Sequence, residues 1–229
     1  GRGIGRDLVK ALAKGGATVI ALTKTQANLD SLKAECPSIE TVCADVGNWD
    51  ETREAVKSVL PIHALVNNAA IAEVAPFLQT TPESFDRQFN INVKSILNVS
   101  QVVAQDMIDR KAGGVIVQVS SQASQAALKD HVVYAGTKGA LDIMAKIMAL
   151  ELGEHNIRVN CVNPTVVMTD MGRVAWSDPV KGGQMLARIP LGRFAEVEEV
   201  VNAILFLLSD QSSMINGVIL PIDGGFLAA

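Results

Sequence analysis

Residues Gly1–Gly16 read GRGIGRDLVKALAKGG. Glycines at positions 1, 3 and 5 run straight into a helical pattern, with Leu8, Ala11 and Leu12 apolar at helical spacing. A glycine-rich turn that opens a helix is how a phosphate-cradling loop ends, because the first N–H groups of the helix point at the anion. Such a turn should hang from a β-strand, and the sequence offers none ahead of Gly1. By itself the turn is weak evidence, since an ordinary loop before a helix would use the same glycines.

Downstream, short β-branched runs alternate with longer helical ones. The runs Ala17–Leu22, Ile39–Ala44, His63–Asn67, Val115–Val119, Ile157–Val162 and Val218–Ile222 predict strands. Between them the pattern predicts helices over Gln26–Glu35, Trp49–Val59, Pro82–Lys111, His131–Gly153 and Val197–Ser209. This alternation implies one α/β domain over residues 1–229, a doubly wound parallel sheet of Rossmann type with helices on both faces. Asn163–Leu191 breaks the rhythm and predicts an irregular excursion over a site. In this order the strand expected ahead of Gly1 belongs at the sheet centre, between Ala17–Leu22 and His63–Asn67. Without it two buried edges stand unpaired. The intact protein is therefore expected to carry about 10–20 further N-terminal residues, enough for one strand and half a turn.

The totals agree with one domain. A chain of 229 residues that is 48% hydrophobic is ample for one core and short for two. A net charge of -4 gives no basic footprint for nucleic acid and argues against a polybasic membrane-surface protein. The apolar stretch Ala203–Leu208 is far too short to span a bilayer. Cys36, Cys43 and Cys161 are odd in number and form no CxxC pair, which points to a reduced, cytoplasmic setting. His63, His131 and His155 lack metal-ligand spacing, so no metal is expected.

The end of the first predicted strand selects a cofactor. NAD binders place an acidic residue there to hold the ribose 2′-hydroxyl. Here Lys24 stands between Thr23 and Thr25, with Arg2 as a second cation, a set that would attract a 2′-phosphate and favours NADP(H). Lys24 as a solvated loop lysine is the plainer alternative. Asp45, followed by Val46, ends the next strand and could accept from an adenine amino group or cap the next helix. Asn67-Asn68-Ala69-Ala70 ends the strand at the expected crevice, where small residues allow close approach of a cofactor or simply mark a polar turn.

The chemistry is concentrated in VSSQASQAALKDHVVYAGTKGALDIM, residues 119–144. Tyr134 and Lys138 are four apart on a predicted helix and share a face. Ser120 and Ser121 close the preceding strand, at the edge where such sheets bind ligands. A free phenol, with pKa near ~10, is a poor acid–base group at neutral pH, and a neighbouring ammonium is expected to lower that value. A serine hydroxyl can hold a substrate oxygen while the phenol gives it a proton. A partly buried tyrosine beside a snorkelling lysine is the bland alternative.

At these residues the chain resembles the short-chain dehydrogenase/reductases, along essentially its whole length. Gly1–Gly5 resembles the second half of their TGxxxGxG loop, Asn67–Ala70 their NNAG, and Asn92, Ser121, Tyr134 and Lys138 their catalytic tetrad. The resemblance implies that Asn92 bends its helix and holds a water linked to Lys138 in a proton relay. It implies cofactor contacts at Gly3 and Ile4 in the turn, at Tyr134 and Lys138, and at Thr169 with Val167 beside it, Thr169 bonding the nicotinamide carboxamide. Two positions depart from the common pattern: Ala70 replaces the last glycine of NNAG, and Pro164-Thr165 replaces Pro-Gly. Both are similar to the branch that reduces L-xylulose to xylitol, and small α-dicarbonyls such as diacetyl, with NADPH. That activity on a small-molecule carbonyl is what the resemblance implies.

For such a substrate Gln122 could bond a sugar hydroxyl or be an exposed strand-end amide. His131 could meet substrate or cap its helix, Trp176 could close over the site or merely pack it, and Leu128 would add an apolar wall. Helix His131–Gly153 carries one apolar face through Leu141, Met144, Met148 and Leu152 and another through Ile143, Ile147 and Leu150. The second face, with the resemblance, implies a homotetramer. The rival readings are a short-chain reductase of steroids, retinoids or acyl carrier substrates, and a non-catalytic NADP-binding module. An intact Ser/Tyr/Lys set weighs against the module, because a binder has no need of a proton donor.

Overall fold

The computed structural model describes residues 1–169, 172, 173, 176 and 178–229. Within them strands and helices alternate as β1 (Ile20–Thr23), β2 (Glu40–Cys43), β3 (Ala64–Asn67), β4 (Gly114–Val119), β5 (Ile157–Pro164) and β6 (Ile219–Ile222). Helix α1 (Gly3–Lys14) precedes β1, α2 (Gln26–Glu35) follows it, and α3 (Trp49–Lys57) follows β2. Helices α4 (Pro82–Phe89) and α5 (Ser95–Asp109) join β3 to β4, and α6 (Val132–Leu152) joins β4 to β5. Helices α7 (Pro179–Leu186) and α8 (Val197–Leu208) lie between β5 and β6.

All pairing is parallel, but the described residues form two sheets, β1-β2 and β3-β4-β5-β6. β1 and β3 are end strands that do not pair with each other, so the split falls at the position where the sequence order calls for a central strand.

Alternation within β4 sorts the core into two layers. Val115, Val117 and Val119 pack with Leu8 of α1 and with Val200, Val201, Ile204 and Leu207 of α8. Ile116 points the other way, to Met107 of α5 and to Ala145 and Ala149 of α6. Each such fully buried aliphatic side chain contributes about 1.5–3 kcal/mol. The α5/α6 face also carries a polar row, because the register places Asn67, Gln118 and Cys161 side by side on β3, β4 and β5. All three are buried.

Two expectations change. The long helix over Pro82–Lys111 divides into α4, a π-helical turn at Asn90–Lys94, and α5. A π turn inserts one extra residue, and here Asn92 is fully buried within it. The excursion after Asn163 is more ordered than its composition suggests. β5 runs on to Pro164, Val167 bridges to Ala195, and α7 packs Met185 with Ile189 against Phe226. Residues 170, 171, 174, 175 and 177, within the same excursion, lie outside the described residues.

Candidate active site

α6 begins immediately after His131, and its first turns carry Tyr134 and Lys138 on one face. Lys138 is 2% exposed and donates from Nζ to the Val119 carbonyl at 2.8 Å. Its ammonium lies 5.7 Å from the centroid of the Tyr134 ring. Burial pushes the Lys138 ammonium down to about 8, opposed by the Asp142 carboxylate, while the Cys161 thiol, itself pushed up by burial, is neutral in that range. Ser121 starts the 3-10 turn Gln122–Ser124, where its Oγ accepts from the Ala123 N–H at 3.1 Å. Its hydroxyl is also hydrogen-bonded to the Tyr134 phenol. The structure thus brings Ser121, Tyr134 and Lys138 together.

The expected lowering of the phenol pKa is not found. Burial pushes Tyr134 above the ordinary tyrosine value, and only the Ser121 hydrogen bond opposes it. The reason is that both partners lose hydration, and desolvation of the phenolate outweighs the favourable contacts. The phenol is consequently in its protonated, proton-donating form at neutral pH.

Asn92 bonds both main-chain groups of one residue, Ile71. Its Oδ1 accepts from the Ile71 N–H at 2.8 Å, and its Nδ2 donates to the Ile71 carbonyl at 2.8 Å. The same Nδ2 reaches Thr137 Oγ1 at 3.1 Å, and that hydroxyl donates to the Tyr134 carbonyl at 2.7 Å. Asn92 therefore ties the segment after β3 to the first turns of α6.

The expected cofactor residues converge on the α1 N-terminus. Gly3 has φ 53°, and a side chain there would stand 3.0 Å from the Thr169 methyl group. A side chain at Gly5 would stand 2.7 Å from Asn68 Nδ2. The turn therefore lies against the segments that follow β3 and β5, and at Gly3 the positive φ favours glycine. Arg2, the N-cap residue, makes no side-chain cap hydrogen bond, and the first turn holds no acidic residue. Both features leave α1 suited to an anion, and Ile4 follows within that first turn. Thr169 Oγ1 accepts from the Gly172 N–H at 3.0 Å, and Val167 stands two residues before it.

Next to Gly1, where a side chain would stand 3.3 Å from the Thr23 methyl group, Thr23 closes β1 with Lys24 and Thr25 behind it. Lys24 Nζ lies 3.5 Å from Asp45 Oδ2. Asp45 is not the cap of α3. Its Oδ1 accepts from the Gly47 N–H beyond Val46, and Asn48 caps the helix by accepting from the Glu51 N–H. Asn67 is separated from its neighbours Asn68 and Ala69 by role, since it donates to Ser100 Oγ beneath the sheet at 3.0 Å.

The expected substrate residues fall into two groups, Gln122 and His131 beside Ser121 and Tyr134, and Leu128 and Trp176 in an apolar cluster of their own. Gln122 is 2% exposed, and among the described residues neither end of its amide has a hydrogen-bond partner, so it is not an exposed strand-end amide. The His131 ring meets the Tyr134 ring edge-on at 6.3 Å, and its side chain makes no capping bond to α6. Leu128 and Trp176 join one apolar cluster with Met185, Ile189 and Phe226. Sequence reasoning passed over Thr137, Asp142 and Asn163, all buried beside the tetrad. For Asp142 a signal existed, since it continues the four-residue spacing of Tyr134 and Lys138 into an otherwise apolar helix face.

Comparison with known proteins is consistent along the chain. A family model described as enoyl-(acyl carrier protein) reductase matches residues 1–227. L-xylulose reductase of Bos taurus is 60% identical over 228 residues, covering 100% of this chain and 93% of the relative. D-erythrulose reductase of Gallus gallus is 58% identical over 229 residues, again covering 100% and 93%. A gluconate 5-dehydrogenase from Burkholderia cenocepacia, crystallised with NADP and tartrate, superposes with a TM-score of 0.94 at 30% identity, covering 100% of this chain and 92% of that one. With the glycine turn against the segments that follow β3 and β5, and the Ser121–Tyr134–Lys138 set at the strand ends, these similarities mean that the chain belongs to the short-chain dehydrogenase/reductase family of oxidoreductases.

Proposed function

We propose that the chain is an NADPH-dependent reductase of small polar ketones, converting L-xylulose to xylitol and reducing α-dicarbonyls such as diacetyl. The observation that carries this reading is the buried phenol of Tyr134, hydrogen-bonded to Ser121 and raised in pKa, so that it holds its proton at neutral pH. Tyr134 gives that proton to the carbonyl oxygen, which the Ser121 hydroxyl holds. The Lys138 ammonium, 5.7 Å from the ring centroid, stabilises the phenolate left behind. Asn92, through Ile71 and Thr137, keeps that helix turn in place. When bound, a reduced nicotinamide supplies the hydride.

The groove suits that cofactor. The N–H groups at Gly3 and Ile4 would hold its pyrophosphate, with Asn68, Ala69, Val167 and Thr169 along the nicotinamide half. Lys24, Thr23, Thr25 and Arg2 would hold the 2′-phosphate, and Asp45 with Val46 the adenine. Two likenesses support the substrate class, the ketose reductases at 60% and 58% identity. A steroid or acyl chain suits the site less well, because the buried, unpartnered amide of Gln122 beside Ser121 favours a hydroxylated substrate. His131, Leu128 and Trp176 would complete that pocket.

The reading extends to a cytoplasmic homotetramer. Ile143, Ile147 and Leu150 of α6 are 55%, 47% and 83% exposed, an apolar face that a second copy would cover. The three cysteines are free, and among the described residues no helix is long and apolar enough to cross a membrane.

The test follows oxidation of NADPH and NADH with L-xylulose, diacetyl, a steroid ketone and an enoyl thioester. The reading expects turnover of the first two with NADPH preferred. Turnover confined to the steroid or the thioester would overturn it.

A further inference from the structure

Tyr134 and Lys138 do not end the polar stripe of α6. One turn on, Asp142 continues it, and this carboxylate is only 8% exposed. Its Oδ2 accepts from Asn163 Nδ2 at 2.9 Å. The same Nδ2, on a side chain with no exposure, lies 3.1 Å from the Ser121 carbonyl and 2.8 Å from Ser124 Oγ. Ser124 Oγ in turn donates to that Ser121 carbonyl at 2.9 Å. The Cys161 thiol on β5 is near enough to Asp142 for that carboxylate to raise its pKa, with burial the larger cause. A buried carboxylate is destabilising unless it is hydrogen-bonded and sits near a positive charge. Asp142 has one such bond, at Oδ2, and acts on the Lys138 ammonium one turn away, while its Oδ1 has no partner among the described residues. The Asn163 link leads to Ser121 and the charge to Lys138.

Resting on the reductase reading above, we propose that Asp142 is a positioning residue for that reaction: through Asn163 it clamps the backbone of Ser121, and from the next turn of α6 it supplies the counter-charge to Lys138. The helix that presents Tyr134 and Lys138 and the strand end that presents Ser121 are thereby held in one register. The titratable groups acting on Lys138 are Tyr134 and Asp142 on its own helix and Cys161 on β5. Lys146, a turn beyond Asp142, acts on Cys161. The 3-10 turn and the π turn packed against α6 bring the neutral Ser121, Ser124 and Asn92.

Asp142→Asn removes the charge and keeps the size. Lys138 then loses its carboxylate and releases its proton more readily, so the alkaline limb of kcat for L-xylulose reduction moves down by about one pH unit. Loosening of Ser121 lowers kcat roughly 10- to 100-fold, with KM changed less than about threefold. Asp142→Glu restores part of both. NADPH affinity, read by its fluorescence on binding, changes less than about threefold, since of the expected cofactor contacts the link reaches only Lys138 and its helix turn. A lost kcat with an unmoved limb would reduce Asp142 to a folding element and overturn the proposal, as would wild-type kcat in Asp142→Asn.

The proposal survives or fails separately from the reductase reading. If wild-type protein reduces no carbonyl, the Lys138 titration is followed instead by nitrogen-15 NMR of lysine side chains, assigned with Lys138→Met. A lower midpoint in Asp142→Asn supports the link, and an unchanged midpoint overturns it.

Discussion

The two ends of the proposed cofactor groove are built on opposite electrostatic principles. At the phenol end Lys138 is 2% exposed and held between β4 and α6, so desolvation decides protonation. At the adenosine end the Lys24 and Asp45 side chains are 64% and 45% exposed and lie 3.5 Å apart, so water screens what they do. The difference teaches where each task can be performed. A proton donor needs a dry site that holds one protonation state, whereas choosing between two cofactors needs only a charge of the right sign within reach of the 2′ position.

The largest effect that would break this contrast is at Tyr134. Tyr134→Phe keeps the ring and removes the proton, and kcat is expected to fall about 10³-fold with NADPH affinity little changed. Next is Lys138→Met, which removes the buried ammonium. Activity drops, yet the protein gains stability at neutral pH, by up to about 3 kcal/mol for a group lowered from 10.5 to about 8. The sign follows from proton counting. Between about 8 and the unfolded value near 10.4, the unfolded chain binds more protons than the folded one. Wild-type stability therefore rises with pH across that window relative to Lys138→Met, as denaturant melts at several pH values will show.

Lys24→Glu comes third. It is expected to raise KM for NADPH about 10- to 100-fold and that for NADH far less, with kcat nearly constant. The smallest effect sharpens the comparison. Raising ionic strength should increase KM for NADPH a few-fold through the exposed end and leave the pH profile of kcat, set at the buried end, where it was.

The legibility of the molecule in its sequence follows the same division. Periodicity placed α2 at Gln26–Glu35 to the residue, because helix and strand spacings are local properties of the chain. The four-residue spacing put Tyr134 and Lys138 on one face for the same reason. The π turn at Asn90–Lys94 was not legible in spacing, and only the family resemblance implied a bend at Asn92, since Asn92 is an ordinary polar residue until its amide meets Ile71, twenty-one positions away. The raised phenol was also hidden. Charge proximity can be read from spacing, but desolvation depends on everything packed around the ring. The link between Asp142 and Asn163 was hidden because it crosses from α6 to β5, although the spacing of Asp142 itself was readable. The division of the sheet between β1 and β3, by contrast, was readable from strand order alone.

The protonation of Tyr134 can be measured without any substrate, because it is the single tyrosine among the 229 residues. Its phenolate can be titrated by ultraviolet difference absorbance of the cofactor-free protein, with circular dichroism to define where the fold persists. The account predicts that, while the protein stays folded, phenolate forms only above the ordinary value near ~10. A midpoint below that value in the folded protein would contradict it, and would mean that Lys138, not burial, governs the proton.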